Sequence, residues 1–252
     1  MRGFSTEAII LRRDNFGEAD KLITFLTSKE GKVRAVAKGV RKITSRRAPN
    51  LELFNHVKLF LVRGKNIDNI GEVETLQSFK DFKEDLSRVG YAYKVAELVD
   101  QFAVSDQESF LLFNLFLTTL GLLDREKNNF KASIVLIAFE AKLLGIVGYK
   151  PHLTSCVRCK NQLAGKGSFF SAELGGIVDP SCAGKSILAR PISVNAIKIL
   201  RFFQTEEWDR IIKLSLESAL QKEVDQILNF YIEYLLETEL KTNRLIKKLS
   251  ND

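Results

Sequence analysis

The period at which apolar residues recur changes near residue 80, and this change constrains the fold more than any other feature of the sequence. In residues 33–40, apolar Val33, Ala35 and Ala37 alternate with charged side chains, the period of two that marks a half-buried β-strand. Five short strands are predicted, at residues 6–12, 21–27, 33–40, 51–62 and 67–76, with a bulge or close approach at Gly71. They favour a small OB-fold barrel, a five-stranded architecture that protects its edges.

From residue 83 onward, apolar residues recur every three or four positions, the period of α-helices. The predicted helices span residues 85–102, 108–123 and 130–147, a further region opening at Pro191, and residues 208–220 and 224–240. We expect Ser105 or Asp106 to cap the second helix, and residues 241–252 to form a polar, partly frayed tail. The predicted fold class is therefore α+β, with an OB-fold domain at residues 1–80 and a helical domain at residues 81–252.

The positive charge of the chain is concentrated in the predicted barrel. The net charge is +7, and residues 1–80 hold 16 Lys and Arg against 9 Asp and Glu. The remaining residues hold 22 of each kind and are neutral overall. A basic surface attracts polyanions, so this distribution indicates where a nucleic acid would bind.

One run within the barrel carries most of this charge. Residues 32–47 contain seven cations and no acid: Lys32, Arg34, Lys38, Arg41, Lys42, Arg46 and Arg47. Such side chains displace counterions from phosphates and give an affinity that falls steeply with salt. The alternative is that the run is only a solvated face of the protein. Aromatic residues of the barrel could stack on bases, but we expect each of them in the core: Phe16, Phe25, Phe54 and Phe60.

Residues 151–190 differ from the helical sequence around them and contain all three cysteines. Cys156 and Cys159 form a CxxC pair, and Cys182 follows in a second segment in which Asp179 stands where a fourth cysteine would complete another pair. Two such pairs at this separation are typical of structural zinc sites. The segment therefore predicts a zinc-ribbon-like insert on the helical domain, with Asp179 or His152 as the fourth ligand. A decayed site that folds without metal is the alternative.

The sequence favours a protein that is not an enzyme. It has two histidines, in different regions, and lacks the glycine-rich motifs of nucleotide-binding loops and the GxSxG motif of hydrolases. No apolar stretch reaches the roughly 18 residues of a membrane span. Charged residues interrupt residues 1–21, and the odd number of cysteines argues against a secreted disulfide framework. We therefore expect a cytoplasmic protein.

Several motifs resemble those of the bacterial RecO proteins. Residues 6–11 (TEAIIL), 16–22 (FGEADKL), 29–32 (KEGK) and 35–41 (AVAKGVR) resemble the opening of this family. Residues 149–153 (YKPHL) before the CxxC pair, and residues 170–171 (FS) before residues 175–177 (GGI), are similar to its zinc-bearing insert. The resemblance follows the chain in order, from the barrel through the helices and the insert to the closing helices.

The resemblance implies a recombination mediator of the RecF pathway in DNA repair, a protein of the nucleoid rather than of a membrane. Such proteins bind single- and double-stranded DNA, anneal complementary strands, and act with RecR to load RecA on DNA coated by single-strand-binding protein. They also bind the acidic C-terminal tail of that protein through the helical domain. Their conserved barrel cations contact DNA, a role that Lys38, Arg41 and Arg46 would inherit and that Lys21 and Arg34 would share, with Lys42 and Arg47 as further candidates from the basic run. At Asp179 the chain departs from the family's cysteine.

Two other functions remain open from the residues alone. An RNA-binding OB-fold protein would show the same barrel and basic run, because neither contains a recognisable reader of the 2′-hydroxyl. A helical interaction adaptor with a purely structural barrel is the second alternative.

Overall fold

The structure, a computed structural model, describes residues 3–103, 109–163, 167–184 and 188–249. The chain forms two compact units, one made of Met1–Lys127 and Leu245–Asp252 and the other of Asn128–Arg244. The first unit contains the barrel and two helices. The second contains the remaining long helices and the cysteine segment.

Five strands close into a barrel at the start of the first unit, as the sequence predicts. They are β1 (Gly3–Phe16), β2 (Asp20–Thr27), β3 (Lys32–Ala37), β4 (His56–Val62) and β5 (Asp68–Gln77). Their order around the barrel is β1-β2-β3-β5-β4, and β4 pairs back onto β1. Only β3 and β5 are parallel, and the other neighbouring strands are antiparallel. Closure leaves no exposed sheet edge, so the OB-fold prediction is confirmed.

Alternate residues of the strands fill the interior of the barrel. Ile23 and Phe25 of β2 point inward with no exposed surface, and the small Ala35 and Ala37 of β3 leave room for them. The predicted bulge at Gly71 is confirmed: Leu59 pairs with Val73 but Leu61 pairs with Ile70, so β5 carries an extra residue opposite Phe60. A Cβ atom at Gly71 would lie 3.2 Å from the Phe60 ring, which explains the glycine.

Two long helices follow the barrel in the first unit. Helix α1 (Leu86–Phe102) begins after Asp85, whose carboxylate accepts the backbone N–H of Arg88, and α2 (Ser109–Arg125) follows. The Arg88 guanidinium is buried and donates to carbonyls at the end of α2, including those of Leu123 and Asp124. Both helices pack on β1, and α2 also packs on β2. The predicted caps Ser105 and Asp106 lie outside the described residues.

The second unit is built around a buried helix. Helix α3 (Asn129–Ile146) contacts α5 (Val194–Thr205), α6 (Trp208–Ile211) and α7 (Ser218–Leu236), and most of its side chains are buried, as its continuous apolar sequence predicts. Between α3 and α5 in the sequence the chain forms a small sheet, with strands in the order β7 (Gly176–Val178), β6 (Phe169–Ser171) and β8 (Ala189–Pro191). The short helix α4 (Pro180–Ala183) follows β7.

Two helix predictions are wrong in their extent. The helix expected at residues 208–220 is one turn that ends at Ile211, because half-buried Ile212, Leu214 and Leu216 then alternate with exposed residues, the period of extended chain. The last long helix begins at residue 218 and ends at residue 236, where Glu237 adopts a left-handed conformation. The tail expected at residues 241–252 instead contains α8 (Lys241–Leu249). None of the described helices is both long enough and apolar enough to cross a membrane.

Candidate nucleic-acid interface and cysteine cluster

The outer face of β2 is closed to ligands. Ile23 and Phe25 point into the barrel, so Leu22, Thr24 and Leu26 point outward, and yet all three are buried. The helices that pack on β1 and β2 account for this burial. OB-folds commonly bind oligonucleotides on the face of strands 2 and 3 and at the loops beside it. Because the outer face of β2 is buried here, a ligand could reach this region only at the adjoining loops.

A single surface forms where the β3–β4 connection docks on the β1–β2 turn. The Gly39 backbone N–H donates to the Asp20 carboxylate at 2.7 Å. The Arg41 backbone N–H donates to the Ala19 carbonyl at 2.9 Å, and its guanidinium donates to the Gly17 carbonyl at 3.1 Å. We call residues 38–47 the basic loop, and the basic loop together with residues 16–21 the basic end of the barrel.

Arg47 anchors the basic loop from its far side. One guanidinium nitrogen donates to the Lys38 carbonyl at 2.6 Å, and another donates to the carbonyls of Ile70 at 2.9 Å and Gly71 at 3.3 Å. The side chain thus joins both ends of the loop to β5. Lys32 is likewise engaged, since its ammonium lies 3.2 Å from the Asp100 carboxylate of α1. These two cations of the run hold the fold together.

The other cations of the run face solvent. Across the described ranges of the chain, no ion pair involves these exposed side chains: Arg34, Lys38, Arg41, Lys42 and Arg46. Lys21 is half-buried at the start of β2, and its ammonium donates to the Asn15 side-chain carbonyl at 3.3 Å. The structure therefore brings Lys21 together with the basic loop and leaves Arg34 on the outer face of β3.

The outer face of β4 and β5 carries charges of both signs. On the outer face of β4 and β5, Lys58 pairs in register with Glu74, and Glu72 is also exposed. A polyanion is repelled by these carboxylates and attracted by the exposed cations of the basic end. This face therefore attracts a polyanion less than residues 38–47, whose exposed charges are all positive.

The apolar residues of the barrel follow the sequence prediction only in part. Phe25 and Phe54 are buried, so their prediction as core residues is confirmed. Phe16 and Phe60 are 46% and 38% exposed, and their prediction as core is wrong, because each lies at the end of the barrel or on its outer face. Sequence reasoning missed Ile43, which is fully exposed within the basic loop. The sequence feature that could have identified it is an apolar residue isolated among cationic and hydroxyl side chains.

The three cysteines lie together in the second unit, as the sequence predicts. Their sulfur atoms are all within 4.8 Å of one another. Cys156 and Cys159 belong to a tight turn in which the Lys160 N–H donates to the Cys156 carbonyl at 2.9 Å and Lys160 is left-handed, and Cys182 lies on α4. A tetrahedral zinc with Zn–S bonds of about 2.3 Å needs sulfurs roughly 3.8 Å apart. The cluster is therefore compact enough to hold one metal ion.

Asp179 lies beside the three cysteines, although its carboxylate is not among the ligand atoms that lie within 4.8 Å of one another. Its Oδ2 atom accepts a hydrogen bond from the Cys159 thiol at 3.3 Å, and its backbone N–H lies 3.4 Å from the Cys156 sulfur. Its Oδ1 atom is buried and has no hydrogen-bond partner in the described structure. A buried orphan carboxylate oxygen beside three thiols fits a fourth metal ligand, because burial without a partner is costly. His152 instead bonds Ser155 at 2.8 Å and is not part of the cluster.

The cluster also separates the acidities of two thiols. Burial opposes ionisation of Cys156, but backbone N–H groups of Cys159, Asp179 and Arg158 outweigh it and lower its pKa to about 7. At Cys159 the Asn161 N–H favours the thiolate, but the Cys156 sulfur, burial and Asp179 together raise the pKa to about 11. The thiolate is the form of cysteine that binds a metal ion. Cys156 could therefore bind the ion first, and the remaining thiols would release their protons as they bind.

The fold and the site define the class of protein: an OB-fold barrel with a basic end, joined to helices that carry a cysteine cluster. Comparisons with known proteins then identify the family. Residues 1–79 match the family model described as recombination protein O N terminal, and residues 83–244 match recombination protein O C terminal. The chain belongs to the RecO family of DNA repair proteins.

Relatives named DNA repair protein RecO resemble the chain over most of its length. The protein of Roseiflexus sp. (strain RS-1) is 37% identical over 94% of this chain and 83% of its own length. That of Dehalococcoides mccartyi (strain 195) is 36% identical over 98% and 96% of the two chains, and that of Symbiobacterium thermophilum is 33% identical over 98% and 97%. The family supports a role in DNA repair, and neither the family models nor these relatives bear the name of an enzyme. This favours DNA repair over the RNA-binding and adaptor alternatives.

Proposed function

We propose that this chain is a non-catalytic recombination mediator that binds DNA through the basic end of its barrel. It binds single and double strands, anneals complementary strands, and with RecR promotes the loading of RecA on DNA coated by single-strand-binding protein, whose tail binds the helical domain. It acts in the bacterial cytoplasm, at the nucleoid. The observation that carries the proposal is the set of exposed, unpaired cations on a loop that hydrogen bonds hold in place.

The fixed position of the basic loop supports this role. Gly39 is held by Asp20, and Arg41 by the carbonyls of the β1–β2 turn, so the loop is ordered before DNA arrives. A preorganised surface loses less conformational entropy on binding than a mobile one. Arg47 contributes through the loop it anchors, whereas Lys38, Arg41, Lys42 and Arg46 are exposed and are the proposed phosphate contacts, with Lys21 and Arg34 at the margin.

Annealing follows from charge neutralisation without any bond chemistry. Two strands repel each other because both carry phosphates, and cations that screen this repulsion raise the rate of encounter. Since residues 38–47 carry exposed cations and no acid, both strands are drawn to the same loop. The rate enhancement should fall as salt rises, because released counterions drive the binding.

We also propose that the cysteine cluster holds one structural Zn²⁺. Cys156, Cys159 and Cys182 would supply thiolates, and Asp179 a carboxylate oxygen. The metal would join the turn at Cys156 to α4, two segments that are otherwise linked by few hydrogen bonds. It would stabilise the insert and take no part in strand pairing.

The experiment that tests the function measures annealing of complementary oligonucleotides coated with the cognate single-strand-binding protein. The wild type should accelerate annealing, and Lys38→Ala/Arg41→Ala/Arg46→Ala should abolish most of the acceleration. Lys58→Ala/Lys80→Ala/Lys150→Ala is the matched control, because it removes the same charge from other exposed positions. Equal loss in both variants would show that only net charge matters, and absence of acceleration by the wild type would contradict the proposal.

A further inference from the structure

The geometry points to a second kind of contact at the basic end: Phe16 and Ile43 engage the unpaired bases of single-stranded DNA whose phosphates bind the neighbouring cations. This inference rests on the proposed function and deepens it. The inference separates residues that contact unpaired bases from residues that contact only phosphates.

The two apolar residues belong to the same docked pair of segments. Phe16 is the last residue of β1 and precedes Gly17, whose carbonyl accepts the Arg41 guanidinium at 3.1 Å. Ile43 lies two residues beyond Arg41 on the basic loop. Single exposed apolar residues are common on protein surfaces. A pair of them on the two segments that also carry the unpaired cations is more specific.

The conformation of the loop presents Ile43 outward. The Lys42 N–H donates to the Gly39 carbonyl at 3.2 Å, and the Ser45 N–H donates to the Lys42 carbonyl at 2.9 Å. These bonds define two successive turns, and Ile43 with Thr44 occupies the centre of the second. The centre of a turn usually carries Pro, Gly, Asn, Asp or Ser. A fully exposed β-branched residue there gains nothing from the fold of the described chain.

Unpaired bases would bury these side chains. Proteins that bind single strands combine a cationic track for the phosphates with aromatic faces on which bases stack. Phe16 offers such a ring at 46% exposure, and the fully exposed Ile43 offers apolar surface that an unstacked base can cover. In a duplex the bases are already stacked and paired. Phe16 and Ile43 therefore add affinity for single strands and little for duplexes.

This arrangement binds the single strands more tightly than the duplex that annealing produces. Each strand is held by phosphate contacts and by base contacts, and pairing with the complement withdraws its bases from Phe16 and Ile43. The product keeps only the phosphate contacts and dissociates more readily. The surface thus captures single strands and releases the duplex without an energy source.

The test compares a thymidine oligonucleotide with an abasic strand of equal length and charge, with fluorescence anisotropy as the readout. The wild type should bind the thymidine strand about five- to a hundredfold more tightly, the range of base stacking on aromatic residues. Phe16→Ala/Ile43→Ala should lose most of this difference while it keeps the affinity for the abasic strand. Phe16→Trp should keep the difference, with quenching of the added tryptophan on binding.

Leu76→Ala is the control, since Leu76 is 45% exposed on β5 and is not one of the residues of the basic end. A double variant that binds both strands as the wild type does, or that loses affinity for both equally, would overturn the inference while the proposed DNA binding stands. Failure of the wild type to bind either strand in a salt-dependent manner would overturn the proposed function itself.

Discussion

At the scale of single residues, neighbouring arginines of the basic loop have contrasting environments. Arg46 is exposed and unpaired in the described structure, whereas the Arg47 guanidinium is shared by three backbone carbonyls. Sequence reasoning treated both as DNA contacts because a run of like charges does not show which side chains fold back onto the backbone. For the same reason, the sequence could not show that Lys32 of this run pairs with Asp100.

The two arginines therefore predict different variants. Arg47→Ala should lower the free energy of unfolding by about 1–3 kcal/mol, because it removes charged hydrogen bonds to half-buried carbonyls. Arg46→Ala should leave the melting temperature unchanged and weaken DNA binding, with a salt dependence reduced by roughly one phosphate contact. Thermal denaturation and a salt titration of DNA affinity separate the two. Similar melting temperatures for the two variants would contradict the assigned roles.

At the scale of elements, the cysteine segment shows what spacing can predict. The CxxC pair and Cys182 were expected to meet, and their sulfurs do so, because a tight turn and a short helix need few residues to converge. The choice between Asp179 and His152 was left open by the sequence. It depended on where the chain between β7 and α4 places its side chains, which no spacing specifies.

Metal removal tests this element. Protein purified without chelator should contain about one zinc per chain, and chelation should lower the melting temperature, because metal binding contributes folding energy. Asp179→Asn should keep the fold but bind Co²⁺ more weakly, whereas Asp179→Cys should shift the Co²⁺ absorption bands toward those of four thiolates. His152→Ala serves as the control and should leave both readouts unchanged. An Asp179→Asn variant with wild-type metal affinity would remove Asp179 from the ligand set.

Across the whole molecule, the sequence predicts the barrel well and its surroundings less well. Period-two alternation and the bulge at Gly71 reflect local rules, and both are confirmed. The burial of the β2 outer face was not foreseen, because Leu22, Thr24 and Leu26 are covered by helices distant in the chain. For the same reason the compact units divide after Lys127, whereas the family models divide between residues 79 and 83, near the change of period.

The exposure of Ile43 and Phe16 was equally beyond local rules. An apolar residue is expected in the core unless the path of its loop is known, and the path of residues 38–47 is set by long-range bonds to Asp20, Gly17 and Ile70. The sequence thus located the functional region of the molecule. The structure was needed to separate its anchored side chains from its exposed cations and its exposed apolar residues.

The salt dependence of single-stranded DNA binding tests most directly whether the basic end is the DNA-binding surface. The slope of log affinity against log salt should be about 2 smaller in magnitude for Lys38→Ala/Arg41→Ala/Arg46→Ala than for the wild type, since each lost phosphate contact removes about 0.7 for a single strand. The Lys58→Ala/Lys80→Ala/Lys150→Ala control should keep the wild-type slope. If the basic-end variant binds with the wild-type slope and affinity, DNA contacts another surface and the account is contradicted.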